Sequence, residues 1–157
     1  MEVERAGGAE RTKERLEVAR RALASLQALP LGGSGHEPPE QSAERSTEHG
    51  AIAADIVRDA AIQRFEYTFE ATWKAAQAYL IREGLDAASP RSAIRSSFQV
   101  GALSEADAQA LEMLGDRNRS VHTYNEGLAR TIFSRLETYA ELLARWLNAL
   151  EKMSESW

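Results

Sequence analysis

Residues 124–152, YNEGLARTIFSRLETYAELLARWLNALEK, decide the fold. Leu128, Ile132, Leu136, Tyr139, Leu143, Trp146 and Leu150 recur in steps of three and four over several turns. That is the periodicity of a helix with one buried face in a bundle or coiled coil. Phe133, Leu142 and Leu147 widen the stripe beyond one seam, which leaves a second face able to pack against another subunit. No stretch of useful length alternates apolar and polar residues as a half-buried strand does.

Immediately before this helix lies the polar segment Asp116-Arg117-Asn118-Arg119-Ser120-Val121-His122-Thr123-Tyr124-Asn125-Glu126. Thr123-x-x-Glu126 reads as a capping box, with Thr123 as N-cap and Glu126 reaching back from N3. This predicts Arg117 at the end of one helix and His122 just outside the start of the next. Upstream, Ser104 with Asp107 three residues later is read as the cap of the helix that delivers the chain to Arg117, anchored by Leu103, Leu111 and Leu114. Before it, Ser89-Pro90 opens a short helix, with serine as N-cap and proline at N1, that buries Ile94 and Phe98 and ends at Gly101.

Ala51 to Glu83 carries a long helical pattern, with Ile52, Ile56, Phe65, Phe69, Thr72, Ala76 and Leu80 on one face and Gly84 as its C′ residue. Trp73 and Tyr79 widen that face. Arg58, Asp59, Arg64, Glu66 and Glu70 fall on its polar side, where weak pairs three or four apart are the ordinary expectation. Arg11 to Leu29 predicts a first helix through Leu16, Ala19, Leu23 and Leu26, stopped by Pro30 and Gly32-Gly33. Residues 1–10 read as a flexible lead-in weakened by Gly7-Gly8, residues 30–50 as a flexible loop without apolar periodicity, and 154–157 as a tail. His36 and His49 fall in that loop without the spacing or supporting residues of a metal site. The expected architecture is all-α: a single domain over 11–153, an up-and-down four-helix-type bundle with one additional short helix.

Composition agrees. Alanine, leucine, glutamate and arginine dominate the 157 residues, and β-branched residues are sparse, which favours helix by propensity. The formal net charge of -5 argues against a generic nucleic-acid binder without excluding a local basic pocket. The absence of cysteine removes disulfides, thiolate metal sites and cysteine nucleophiles. No apolar run is long enough to span a bilayer, and the charged N-terminus is no secretory signal, so a cytoplasmic protein without membrane association is expected.

Arg117 and His122 form R-x-x-x-x-H, with Asn118 next to the arginine. On one continuous helix this spacing splays the two side chains apart; across a helix break they can converge. The combination suits phosphodiester chemistry. A histidine near its unperturbed pKa can take a proton from an attacking hydroxyl or give one to a leaving oxygen. An arginine presents a bidentate fork to phosphate and stabilises charge in the transition state. RNA carries its own nucleophile in the 2′-hydroxyl, so neither metal nor cofactor is needed. The spacing is also common by chance, and the same residues at a helix junction can simply cap exposed carbonyls and amides.

The segment Asp116–Glu126 resembles the motif of the nucleotidyltransferase substrate-binding protein family, helical proteins of the HEPN superfamily. Arg64-Phe65-Glu66-Tyr67-Thr68-Phe69-Glu70-Ala71-Thr72-Trp73-Lys74, Ser89-Pro90-Arg91 and Leu111-Glu112-Met113-Leu114 are similar to the family's other blocks, in the same order. The resemblance implies a HEPN-like bundle that forms a homodimer and is paired with a cognate minimal nucleotidyltransferase in a toxin–antitoxin module. It implies a metal-independent endoribonuclease in which Arg117 and His122 are catalytic and meet their dimer mates across a cleft. Asn118 and Arg119 would support them by holding RNA phosphate. Tyr124, two residues after the histidine, would be the residue to which the nucleotidyltransferase transfers AMP, silencing the toxin. The alternative is a non-catalytic partner that presents a substrate or nucleotide to that nucleotidyltransferase. The loop after the first helix is longer and richer in Gly and Pro than the family's usual connection.

Overall fold

The computed structural model describes residues 2–32, 46–123 and 125–157. Its elements are α1 (Glu2–Gln27), α2 (Ser46–Arg82), α3 (Pro90–Gln99), a single 3-10 turn at Glu105–Asp107, α4 (Ala110–His122) and α5 (Glu126–Ser154). Among the described residues there is no strand, and the all-α expectation holds. Three long helices carry the bundle. α2 packs against each of α1, α3, α4 and α5, while α1 and α4 also rest on α5. α1 and α2 run antiparallel: Arg64 donates to the Ser25 carbonyl at one end, and Gly8 lies against the stem of Arg82 at the other.

The core is built from the faces that the helical periodicity marks. Phe65, Phe69, Leu80, Ile132, Leu136, Tyr139, Leu143 and Trp146 are fully or almost fully buried. Phe65 stacks on Tyr139 with ring centroids 5.5 Å apart, which joins α2 to α5. The Trp146 indole N–H donates to Ser97 Oγ at 3.0 Å, so the largest core side chain also ties α5 to α3. Each such side chain contributes roughly 1.5–3 kcal/mol by leaving water.

Local signals place the short elements. Ser89 caps α3: its hydroxyl accepts from the Ser92 N–H at 3.1 Å, and Pro90 stands at N1. Gly84 and Gly101 adopt φ of 77° and 80°, the left-handed region that lets the chain leave α2 and α3. Ser104 begins the 3-10 turn rather than α4, its N–H donating to the Asp107 carboxylate at 3.0 Å.

Several expectations are corrected. α1 begins at Glu2, not Arg11, and runs through Gly7-Gly8. Gly8 lies against α2, where an added Cβ would meet Arg82 Cδ at 3.7 Å, an ordinary contact that leaves room for it. α2 begins at Ser46, so the last part of the expected loop is helical. Residues 33–45 of that loop, including His36, lie outside the described residues. Ile52 and Ile56, expected in the core, are 55% and 63% exposed. α1 ends at Gln27, close to the level of Arg64, so α2 runs on beyond its neighbour. Leu111 is also exposed, while Leu103 and Leu114 are buried as expected and Ala110 and Met113 join them. Trp157, expected in a free tail, stacks on Tyr79 at 5.2 Å and lies under the Arg82 guanidinium.

Candidate functional site

α4 carries Arg117, Asn118, Arg119 and His122 on a single continuous helix that ends at His122. The break between helices therefore falls at Thr123–Asn125, after the histidine and not between it and the arginine. Thr123 is the C-cap of α4, its N–H donating to the Arg119 carbonyl. Asn125, not Thr123, is the N-cap of α5: its side chain accepts from the Leu128 N–H at 3.1 Å. Asparagine is the stronger cap of the two, and it displaces the Thr123-x-x-Glu126 box by two residues. Glu126 becomes the first residue of α5 and pairs with Arg130 at 2.7 Å. Tyr124 lies outside the described residues.

One consequence is geometric. Residues 117 and 122 of one helix are separated by about 140° of rotation and about 7.5 Å of rise. Within a single chain, Arg117 and His122 therefore face different directions. His122 is exposed on the last turn of α4. Arg117 is turned inward against α2, where its Nη2 donates to Glu70 Oε2 at 2.7 Å and its guanidinium sits 5.6 Å from the Phe69 ring centre. Its Nη1 donates to Asn118 Oδ1 at 3.1 Å, and its Nε is buried without an acceptor among the described residues.

Glu70 is the hub of this contact, and its sequence context marks it only as one acid on a polar helix face. It accepts from the Trp73 indole N–H at 2.8 Å and pairs with Lys74 at 3.1 Å as well as with Arg117. Partial burial pushes its carboxyl up, but the hydrogen bonds from Trp73 and Lys74 and the charges of Lys74 and Arg117 outweigh this and hold it below its ordinary value.

A second cluster fixes α4 on α5. Asp116 is fully buried and accepts from the Tyr139 hydroxyl at 2.5 Å, from Arg135 Nη1 at 2.9 Å, and from Arg119 on its own helix. Burial raises the Asp116 carboxyl, and the bonds from Tyr139, Arg135 and Arg119 lower it further than burial raises it. Burial, the bond to Asp116 and its negative charge all push the Tyr139 phenol up. Arg119, expected to hold phosphate, is thus engaged with Asp116 while its side chain stays 55% exposed. The signal for this cluster was present in the sequence. Asp116 stands three residues after Met113 on the buried side of α4, where an acid needs partners, and Arg135 and Tyr139 are one turn apart on α5.

A groove of about 520 Å³ lies between α2 and the α4–α5 corner, lined among others by Asp59, Glu66, Ser120, Thr123, Asn125 and Leu128. Neither Arg117 nor His122 lines it, and its two acids make it a poor seat for phosphate. Arg58, nearly buried beside it, is neutralised by Asp55 and Asp59 at 3.1 and 3.3 Å. Among the described residues no group of three or more His, Asp or Glu is placed to hold a metal ion. None of the described helices is long and apolar enough to cross a membrane.

The profile of the family described as nucleotidyltransferase substrate binding protein like matches residues 14–152. The chain is also similar to a protein of Thermus thermophilus whose crystal structure has been solved. The two share 47% sequence identity over 84% of this chain and 98% of that one, with a TM-score of 0.65. No curated protein matches the sequence. The α4 motif, the α2 block around Glu70 and the helical core all fall inside the matched span, and the chain belongs to the nucleotidyltransferase substrate binding protein like family.

Proposed function

We propose that this chain is a HEPN-type, metal-independent endoribonuclease, the toxin subunit of a two-component module whose partner is a minimal nucleotidyltransferase. The observation that carries the reading is the placement of Arg117 and His122 on one helix. A phosphate fork, half-buried against α2, and an exposed proton-transfer group stand within two turns of one helix, yet turned apart. In this reading a second copy, related by a two-fold axis, brings its own pair to a shared cleft in the opposite sense, and Arg117 of one protomer acts there with His122 of the other. Exposed Ile52, Ile56 and Val121 supply apolar surface beside that corner for such a contact.

In the shared cleft, the histidine takes the proton of the RNA 2′-hydroxyl or returns one to the leaving 5′-oxygen. The arginine neutralises the charge that builds on the phosphorane. Asn118 orients Arg117, and Arg119 adds positive charge at the mouth. AMP carried on Tyr124 would place a phosphodiester and its negative charge beside the cationic pair and occupy the seat of the RNA phosphate.

The Arg117–Glu70 pair favours a second reading. An arginine already neutralised by a carboxylate within its own chain suits a non-catalytic subunit that binds the nucleotidyltransferase and presents a substrate to it. Mixing separates the two. Arg117→Ala and His122→Ala should each be inactive alone and recover part of the RNA cleavage when co-refolded, because one hybrid cleft regains both groups. No cleavage by wild type, variants or mixture, together with tight binding of the nucleotidyltransferase, selects the second reading.

A further inference from the structure

A second feature lies away from the α4 corner. Between the N-terminal half of α1 and the C-terminal end of α2 runs a groove of about 590 Å³. Arg5, Arg11, Arg15 and Arg82 line it, against the single acid Glu4, in a chain whose net charge is -5. Among the described residues none of these four arginines makes an ion pair, as is also true of Arg21, Arg64, Arg91 and Arg95, but only these four are gathered in one groove. Arg11 and Arg15 stand one helical turn apart, a like-charge spacing that costs stability unless an anion lies across it. Arg82 is held in place by packing, its guanidinium 3.5 Å from the centre of the Trp157 ring, with Nη1 buried and without an acceptor among the described residues.

One face of α2 relates the groove to the candidate site. Glu70, Lys74, Gln77 and Ile81 fall at steps of four, three and four along α2, a single stripe of that helix. The first two belong to the Arg117 cluster and the last two line the groove. Because α1 and α2 are antiparallel, Arg15 stands nearest Lys74, with Arg11 and then Arg5 farther along. From Glu70 to Arg82 this path covers about 18 Å of helix. Arg11 and Arg15 are separated by about 6 Å of rise, a step comparable with successive phosphates of an extended strand. The nearby Trp157 has Tyr79 stacked on its ring at 5.2 Å and the Arg82 guanidinium over it.

We infer that the α1–α2 groove binds the phosphodiester backbone of a single RNA strand, tracking it from the α4 corner along Arg15, Arg11 and Arg5 without reading its bases. The inference rests on RNA as the ligand of this protein, but not on its cleavage. Phosphate-directed binding of this kind positions a strand and carries no sequence information. It is also strongly salt-dependent, because each neutralised phosphate releases counterions.

The test uses the full chain in a His122→Ala background, so that bound RNA stays intact, and follows a labelled single-stranded oligonucleotide by fluorescence anisotropy over a salt series. Replacing the pair Arg11→Gln and Arg15→Gln should weaken binding and flatten the log–log salt slope by about 1.4, about 0.7 for each phosphate of a single strand left without its arginine. Oligo(U) and oligo(A) should bind alike. The control pair Lys13→Gln and Arg21→Gln removes the same charge from exposed α1 positions that do not line the groove and should leave affinity and slope unchanged. Unaltered RNA binding by the Arg11/Arg15 variant overturns the inference, as does an equal loss in the control pair. Loss of ATP binding with RNA binding intact also overturns it, in favour of a nucleotide site. A wild-type chain that binds RNA through these arginines but never cleaves it leaves the groove standing and refutes the ribonuclease reading alone.

Discussion

The Arg117 guanidinium donates to the Glu70 carboxylate at 2.7 Å across the α2–α4 contact, with both side chains partly buried. The pair fixes the arginine of the motif against α2 and occupies one arm of its guanidinium. Glu70→Gln keeps the shape and removes the charge. We predict that RNA binding tightens and its salt slope steepens by about one phosphate. Because both partners are partly solvated, stability should fall by only roughly 0.2–1 kcal/mol. Oligonucleotide anisotropy and thermal denaturation of the variant check both halves.

Asp116 makes a pH-dependent contribution to stability. Its folded carboxyl titrates below its ordinary value, so the stabilisation is fully present above about pH 3.9, the unfolded reference, and is lost as pH falls through the lower folded value. Asp116→Asn should therefore destabilise the chain by roughly 1–3 kcal/mol at pH 7, by weakening the seat of the buried Tyr139 hydroxyl. The gap to wild type should close in acid. A constant difference between the two melting curves from pH 7 to pH 3 would contradict this.

The capping residue of α5 is a sharp point of difference. Asn125→Ala should cost about 1 kcal/mol, because the Leu128 N–H loses its acceptor. Thr123→Ala should cost only a few tenths, since its hydroxyl caps nothing among the described residues. Urea denaturation of the two variants ranks them. The reverse order restores the Thr123-x-x-Glu126 box.

Tyr124 is tested by mass. Incubation of the chain with its cognate nucleotidyltransferase and ATP should add one AMP to wild type and none to Tyr124→Phe, and the modified protein should lose RNA cleavage. Equal labelling of both proteins moves the modification elsewhere.

Most of the scaffold was legible because it rests on local chemistry and periodicity. The α5 stripe through Trp146 and the Ser89-Pro90 start of α3 depend on residues close in sequence, and both stand where that chemistry puts them. The start of α1 was not, because Gly7-Gly8 weakens the local helix signal while the packing of α1 along α2, which no local pattern encodes, carries the helix through them. Ile52 and Ile56 keep the helical period yet face outward, because periodicity gives the face of α2 but not where α1 stops covering it. At the site, the residue types were legible and the break was not. Thr123 read as the cap of α5, whereas Asn125 fills that place, and the difference moves His122 from the start of α5 to the end of α4. That shift turns Arg117 and His122 apart in one chain, which is why the proposed chemistry calls on a second copy. Glu70 read as an ordinary solvated acid, because its pairing with Arg117 depends on α4 crossing α2.

The most direct measurement is the rate at which the purified chain cleaves a single-stranded RNA oligonucleotide in the presence of EDTA, beside His122→Ala. The predicted result is cleavage by wild type, with a loss of about 10²–10⁴-fold in the variant, the scale of a missing general acid–base group. Equal rates for the two proteins, or no cleavage by wild type, would contradict the assignment of Arg117 and His122 as a ribonuclease pair.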